Sequence, residues 1–218
     1  VMDALFPLAV IAMLAGSIVA IYQTNLKRLL AYSSVAQIGY ILLGITLASE
    51  RGLVGAIVHV FNHGVMKAAL FVTIGAVALY SGGGSIQNLA GLGKRMPVTM
   101  VALTVAMLSL IGIPGTVGFI SKWYLVLAAL EAGTTKGVVA VIAVISATLL
   151  AIVYVWRLVE VAYFTNPTEI KNSEKKEAPW PVLLSLSILA GSCVIFGTAT
   201  DLTVGLSRLA AQMLLGAG

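Results

Sequence analysis

His59, His63 and Lys67 recur at intervals of four residues inside an apolar stretch, Val58-His-Val-Phe-Asn-His-Gly-Val-Met-Lys67. On a helix that spacing aligns all three on one face, as a stripe about 12 Å long at roughly 1.5 Å of rise per residue. The segment around them, Leu53 to Tyr80, is otherwise hydrophobic enough to enter a bilayer. Ionisable side chains at that depth are costly and usually belong to an ion or proton path. Imidazole titrates near neutral pH, and low dielectric disfavours the charged form of an amine. A His–His–Lys stripe with bridging waters therefore has the chemistry of a proton or cation relay. The pair at i, i+4 also has zinc-binding spacing, but no Glu follows His59 and no third ligand is evident nearby. Nor can two histidines on one face readily supply both axial ligands of a haem. Isolated structural histidines are the remaining alternative. No metal and no cofactor is expected.

A second lysine stands beside a break. The apolar run Val98–Leu130 would make a helix of about 50 Å, against a hydrocarbon core of about 30 Å. In its middle lies Gly112-Ile-Pro-Gly-Thr-Val-Gly118. Pro114 removes a donor and clashes with the preceding turn, and Gly112, Gly115 and Gly118 lower helix propensity further. The segment is expected to be a discontinuous helix whose unwound centre faces protein or water, a place where transporters often put ion sites. Lys122 follows eight residues after Pro114. The alternative is a proline kink with Lys122 snorkelling to a surface. Ser33, Ser34, Gln37 and Tyr40 could orient waters for such a path, or serve only interhelical hydrogen bonding.

The elements that position these residues are read from apolar length. The 218 residues are 60% hydrophobic and 10% charged, with a mean hydropathy of +1.04, far from a soluble domain. Six spans follow, about Leu5–Tyr22, Leu29–Leu47, Leu53–Tyr80, Val98–Leu130, Val138–Phe164 and Val182–Thr200. The fold class is thus all-α and polytopic, the fourth span discontinuous. Beyond Thr200, Asp201 could cap a short amphipathic helix with Leu202, Leu206, Leu209 and Met213 on one face, lying along a surface. The net charge of +5 does not point to nucleic acid, because the basic residues sit mainly between apolar segments. Lys27, Arg28, Lys94, Arg95, Lys171, Lys175 and Lys176 follow odd-numbered spans, against Arg51, Lys136 and Arg208 on the other side. The positive-inside rule puts the first group in the cytoplasm of a cell that holds the chain in its inner or plasma membrane.

The acids Asp3, Glu50, Glu131, Glu160, Glu169, Glu174, Glu177 and Asp201 all fall at segment ends or in loops. A buried charged lysine then needs a partner from elsewhere, so this chain is expected to work with other membrane subunits. A start at Val1 likewise suggests a sequence that opens partway through a larger protein.

Asn25-Leu-Lys-Arg-Leu-Leu-Ala-Tyr-Ser-Ser-Val-Ala-Gln-Ile-Gly-Tyr40 resembles the signature of antiporter-like membrane subunits. These belong to respiratory complex I, Mrp-type cation/proton antiporters and membrane-bound hydrogenases. His59-x3-His63-x3-Lys67 and Gly112-Ile-Pro-Gly-Thr-Val-Gly-Phe-Ile-Ser-Lys122 resemble two further motifs of the family, and the run through Leu125 looks closest to the Mrp D-type branch. The resemblance implies that residues 1–164 form the second of two inverted five-helix repeats. Residues 165–218 would supply a cytoplasmic loop, a closing transmembrane helix and the tail. It also implies that Lys122 is the broken-helix proton carrier of an outward half-channel, with His59, His63 and Lys67 lining a central polar axis. The first repeat, with its own lysine and paired glutamate, has no counterpart here.

The functions left open are a Mrp-type sodium/proton antiporter subunit, a redox-driven proton-pumping subunit of an NADH:quinone oxidoreductase or hydrogenase, and a non-transporting scaffold. The buried lysines and histidines favour the first two. No covalent chemistry is legible in the chain, and no flavin, iron–sulfur or quinone motif decides between redox drive and antiport.

Overall fold

The computed structural model describes residues 2–166 and 177–216, and the described residues are helical throughout apart from turns. In chain order the helices are α1 (Met2–Ile21), α2 (Leu26–Thr46), α3 (Glu50–Ser81), the four-residue α4 (Leu92–Arg95), α5 (Pro97–Ile111), α6 (Val117–Glu131), α7 (Thr135–Phe164), α8 (Trp180–Thr198) and α9 (Asp201–Leu214). Helices α1, α2, α3, α7 and α8 are long and apolar enough to cross a membrane. The fourth expected segment is the pair α5 and α6. Each expected segment coincides with its helix to within three residues at either end.

Local chemistry sets the ends. The Asn25 side chain accepts from the backbone N–H groups of Lys27 and Arg28 at 3.0 and 3.2 Å, satisfying donors that the first turn of α2 leaves free. Ser49 caps α3 and Thr134 caps α7 in the same way. Pro97 and Pro181 sit in first turns, where a missing N–H costs nothing.

The connection from Ser81 to Pro97 holds a 3-10 turn (Ile86–Leu89) and α4, which bury Ile86, Leu89 and Leu92 in the core. Asp201 is not the cap of α9; Thr200 holds that position and Asp201 opens the first turn, where its charge complements the helix dipole.

Helix α3 runs through the centre and packs against α2, α5, α6, α8 and α9. Met66, Leu70 and Ile74 of α3 meet Leu29 and Leu30 of α2, Met107 and Leu110 of α5 and Tyr154 and Leu158 of α7. A second core joins Met13 of α1, Tyr40 and Leu43 of α2, Leu125 of α6 and Val144 of α7. The outer surface stays apolar, with Ile11, Ile38, Ile142, Leu149 and Trp156 exposed. On α9, Val204, Ser207 and Ala211 are buried, while the expected stripe of Leu202, Leu206, Leu209 and Met213 faces outward.

The ends of the bundle alternate as the charge pattern requires. At one end the Leu26 N–H donates to Gly84 O (2.7 Å) and the Ile86 N–H to Thr24 O (2.9 Å), drawing together the turns that carry Lys27, Arg28, Lys94 and Arg95. Glu177 ties the start of α5 to this end by accepting from the Val98 N–H (2.6 Å) and the Thr99 hydroxyl (2.8 Å). At the other end Lys136 pairs with Asp3 at 3.1 Å and Arg51 pairs with Glu131. Lys171, Lys175, Lys176, Glu169 and Glu174 lie outside the described residues.

Candidate functional site

The break between α5 and α6 begins at Gly112, whose φ of 91° stops the α5 ladder, and includes Gly115 at φ 86°. Both lie in the left-handed region that a side chain disfavours. Pro114 sits between them, so the five residues 112–116 carry no regular helix. Gly118 does not belong to the break. It lies in the first turn of α6, where the Ser109 carbonyl occupies the space a Cβ would need. The glycine is required there for close approach of two backbones, not for unwinding.

The way α5 ends decides where Lys122 goes. The N–H groups of Gly112 and Ile113 both donate to Leu108 O, at 3.0 and 3.2 Å. That leaves the carbonyls of Leu110 and Ile111 among those without an intrahelical donor. The Lys122 amine reaches back across the break and donates to both, at 3.1 and 2.7 Å. It also sits 4.8 Å from the centroid of the Tyr40 ring, a cation–π distance. An ammonium is thus set on the negative end of a helix dipole, with only 6% of the residue exposed. Snorkelling is ruled out by this geometry.

His59 is fully buried and spans the interface of three helices. Its Nε2 is 3.0 Å from Gln37 Oε1 on α2 and its Nδ1 is 2.8 Å from Ser121 Oγ on α6. With Gln37 presenting its carbonyl oxygen, Nε2–H donates and Nδ1 accepts from the serine hydroxyl. The His59 ring lies 5.4 Å from that of Tyr40. Tyr40 therefore touches both His59 and Lys122, and its hydroxyl reaches Thr148 Oγ1 at 3.3 Å on α7. Asn62, one turn along from His59, donates to Val117 O at the start of α6 (2.5 Å) and keeps its own Oδ1 without a partner among the described residues.

Lys67 lies two turns further along α3 and 7% exposed. Its amine donates to Leu30 O (2.8 Å) and to Ser33 Oγ (2.5 Å), both on α2. His63 stands between the two groups, half-buried, with Nε2 enclosed but unpartnered among the described residues. The stripe accordingly faces the interior, His59 toward α2 and α6 and Lys67 toward α2. Of the polar residues on α2, Ser33, Gln37 and Tyr40 join the site, whereas Ser34 only returns a bond to Leu30 O (3.1 Å). Neither lysine has a carboxylate within ion-pair distance among the described residues. No cluster of three metal-ligating side chains is found among the described residues either.

Sequence reasoning missed Ser121, Asn62 and Arg157. The first two adjoin Lys122 and His63 in sequence, and Asn62 is i+3 from His59, a spacing that shares a helix face. Arg157, inside α7, donates to Ile21 O and Gln23 O at 2.9 and 3.1 Å, holding the end of α1. A guanidinium within an apolar segment was the available signal.

Buried amines and a buried imidazole beside a broken helix, inside a bundle with an apolar exterior, define a multi-pass membrane protein with ionisable groups in its interior. The family model described as "NADH:quinone oxidoreductase/Mrp antiporter, TM" matches residues 1–151, and the chain belongs to that family. It is 46% identical over 201 residues to an NADH-quinone oxidoreductase subunit N of Desulforudis audaxviator, covering 87% of this chain and 40% of that protein. It is 36% identical over 217 residues to an F(420)H(2) dehydrogenase subunit N of Methanosarcina mazei, covering 95% and 43%. The chain therefore spans about two fifths of the length of these curated relatives. Among solved structures, a chain of the Mrp complex from Dietzia sp. DQ12-45-1b superposes with a TM-score of 0.84 at 26% identity, over 97% of this chain and 47% of that one.

Proposed function

We propose that this chain carries protons across the membrane as part of an antiporter-like subunit, with Lys122 as the carrier and His59, His63 and Lys67 as relay positions. The observation that supports this most is the seat of Lys122 on the free carbonyls of α5. Backbone carbonyls and an aromatic face hold an ammonium without neutralising it. A carboxylate in permanent contact with the amine would fix the charge far more strongly. The amine can thus gain and release a proton with a small rearrangement. In this reading residues 1–164 are the second of two inverted five-helix repeats, and 165–218 supply the loop, closing helix and tail. The acid that stabilises the charged state comes from the other repeat or from an adjacent membrane subunit.

The similarity to two proteins named subunit N of an oxidoreductase and of a dehydrogenase supports redox-driven pumping as the source of energy. The likeness to the Mrp complex supports the second reading, sodium/proton antiport. The test is pH-gradient formation by proteoliposomes holding the full-length subunit in its complex, driven first by a reduced electron donor and then by an imposed sodium gradient. Replacing Lys122 or Lys67 by Ala with assembly intact should abolish the gradient under whichever drive works. Wild-type gradients in both variants would leave the chain a scaffold.

A further inference from the structure

A polar cleft of about 500 Å³ opens at the end of the bundle away from the paired basic turns, lined by Arg51 of α3, Tyr124 and Glu131 of α6 and Arg208 and Gln212 of α9. The Arg51–Glu131 ion pair crosses it, with both side chains about half exposed. Gln212 holds α9 against it by donating to Glu50 at 3.1 Å. Counting back along α3 from His59, Gly55 and Arg51 stand one and two turns nearer this cleft, about 6 and 12 Å along the axis. Helix α6 runs the opposite way, from Ser121 beside His59 to Glu131 at the cleft. The polar cleft and the His59–Ser121 pair are therefore the two ends of one interface, α3 against α6.

What separates them is buried apolar packing, Val54 and Val58 of α3 and Leu125 and Ala128 of α6, with Leu125 its largest α6 side chain. Leu125 is fully buried. A Cβ placed on Gly44 would lie 2.7 Å from its Cδ2, and one placed on Gly55 would lie 3.1 Å from it. The leucine thus fills the space that two glycines, one on α2 and one on the His59 face of α3, leave open. A narrow constriction lined by such a side chain excludes water until it moves.

We infer that the Arg51–Glu131 cleft is the outer mouth of the proton path and that Leu125, seated on Gly44 and Gly55, is the water-excluding barrier between that mouth and His59. The inference rests on the reading of Lys122 as carrier. Its test uses the full-length subunit in its assembled complex in proteoliposomes. Leu125→Ala should raise passive proton leak down an imposed pH gradient severalfold without any drive, and adding Lys122→Ala should remove that leak. With Cys193, the one cysteine in these 218 residues, replaced by Ala, a water-soluble maleimide should label Glu131→Cys and spare Leu125→Cys; this pair decides the matter if Leu125→Ala does not assemble. Wild-type leak in assembled Leu125→Ala, or equal labelling at the two positions, overturns the barrier. If Lys122→Ala alone keeps its driven transport, the carrier reading fails instead.

Discussion

Gly112→Ala and Gly115→Ala should carry the same backbone strain and differ in their consequences for transport. Both glycines hold a left-handed backbone, φ 91° and 86°, and an L-residue there costs roughly 1–2 kcal/mol. At Gly115 an added Cβ meets nothing within 4 Å, so strain is the whole effect. At Gly112 it would lie 3.1 Å from Lys122 Cδ and 3.2 Å from Gly118 O. The second of these is backbone held by α6, so the lysine stem must yield. Each hydrogen bond from the amine to Leu110 O or Ile111 O is of a charge-assisted kind worth about 1.5–3 kcal/mol. Losing one lowers occupancy of the seat roughly 10- to 100-fold. Thermal unfolding of the purified complex should show a modest destabilisation for Gly115→Ala and a larger one for Gly112→Ala, which adds the displaced lysine to the shared strain. Proton transport in proteoliposomes, normalised to assembled protein, should fall strongly for Gly112→Ala and stay close to wild type for Gly115→Ala. Equal transport losses would refute the claim that the Leu110 and Ile111 carbonyls matter to Lys122.

Three further outcomes follow from named contacts. Gln37→Leu leaves His59 Nε2–H buried with no acceptor, a loss of about 1–3 kcal/mol, visible as a lower unfolding temperature; an unchanged midpoint would show that the contact at 3.0 Å carries no weight. Arg157→Leu should lower stability by a similar amount, about 1–3 kcal/mol, because Ile21 O and Gln23 O lose their donor. Its transport per assembled complex should not change, and a selective transport defect would instead put Arg157 on the path. His63→Ala should weaken transport less than Lys122→Ala, since His63 Nε2 has no protein partner among the described residues and water can replace it; initial rates of gradient formation compare the two directly.

The helices were legible because apolar length and polar interruption are properties of the chain itself. The break was legible for a related reason: Pro114 and the glycines act on their own backbone, so no tertiary information is needed. Gly118 reads from sequence as part of the break because a glycine looks the same whether it serves an unusual dihedral or a close contact, and only the Ser109 carbonyl tells them apart. The stripe's inward face could be anticipated from the cost of burying charge. The partners of its lysines could not, because Leu110 O, Ile111 O and Leu30 O are backbone atoms that leave no mark on residue identity. Tyr40 reads from sequence as a polar residue on α2, but its place under Lys122 and beside His59 depends on how three helices pack. The short helices between Ser81 and Pro97 escaped for want of length, four residues being too few to show a period.

The most direct measurement is the number of protons moved per drive event, whether electron transfer or sodium exchange, by complexes that contain Lys122→Ala and assemble normally. Carriage by Lys122 predicts that this ratio falls well below wild type even where the driving reaction continues. A wild-type ratio in the variant would contradict it.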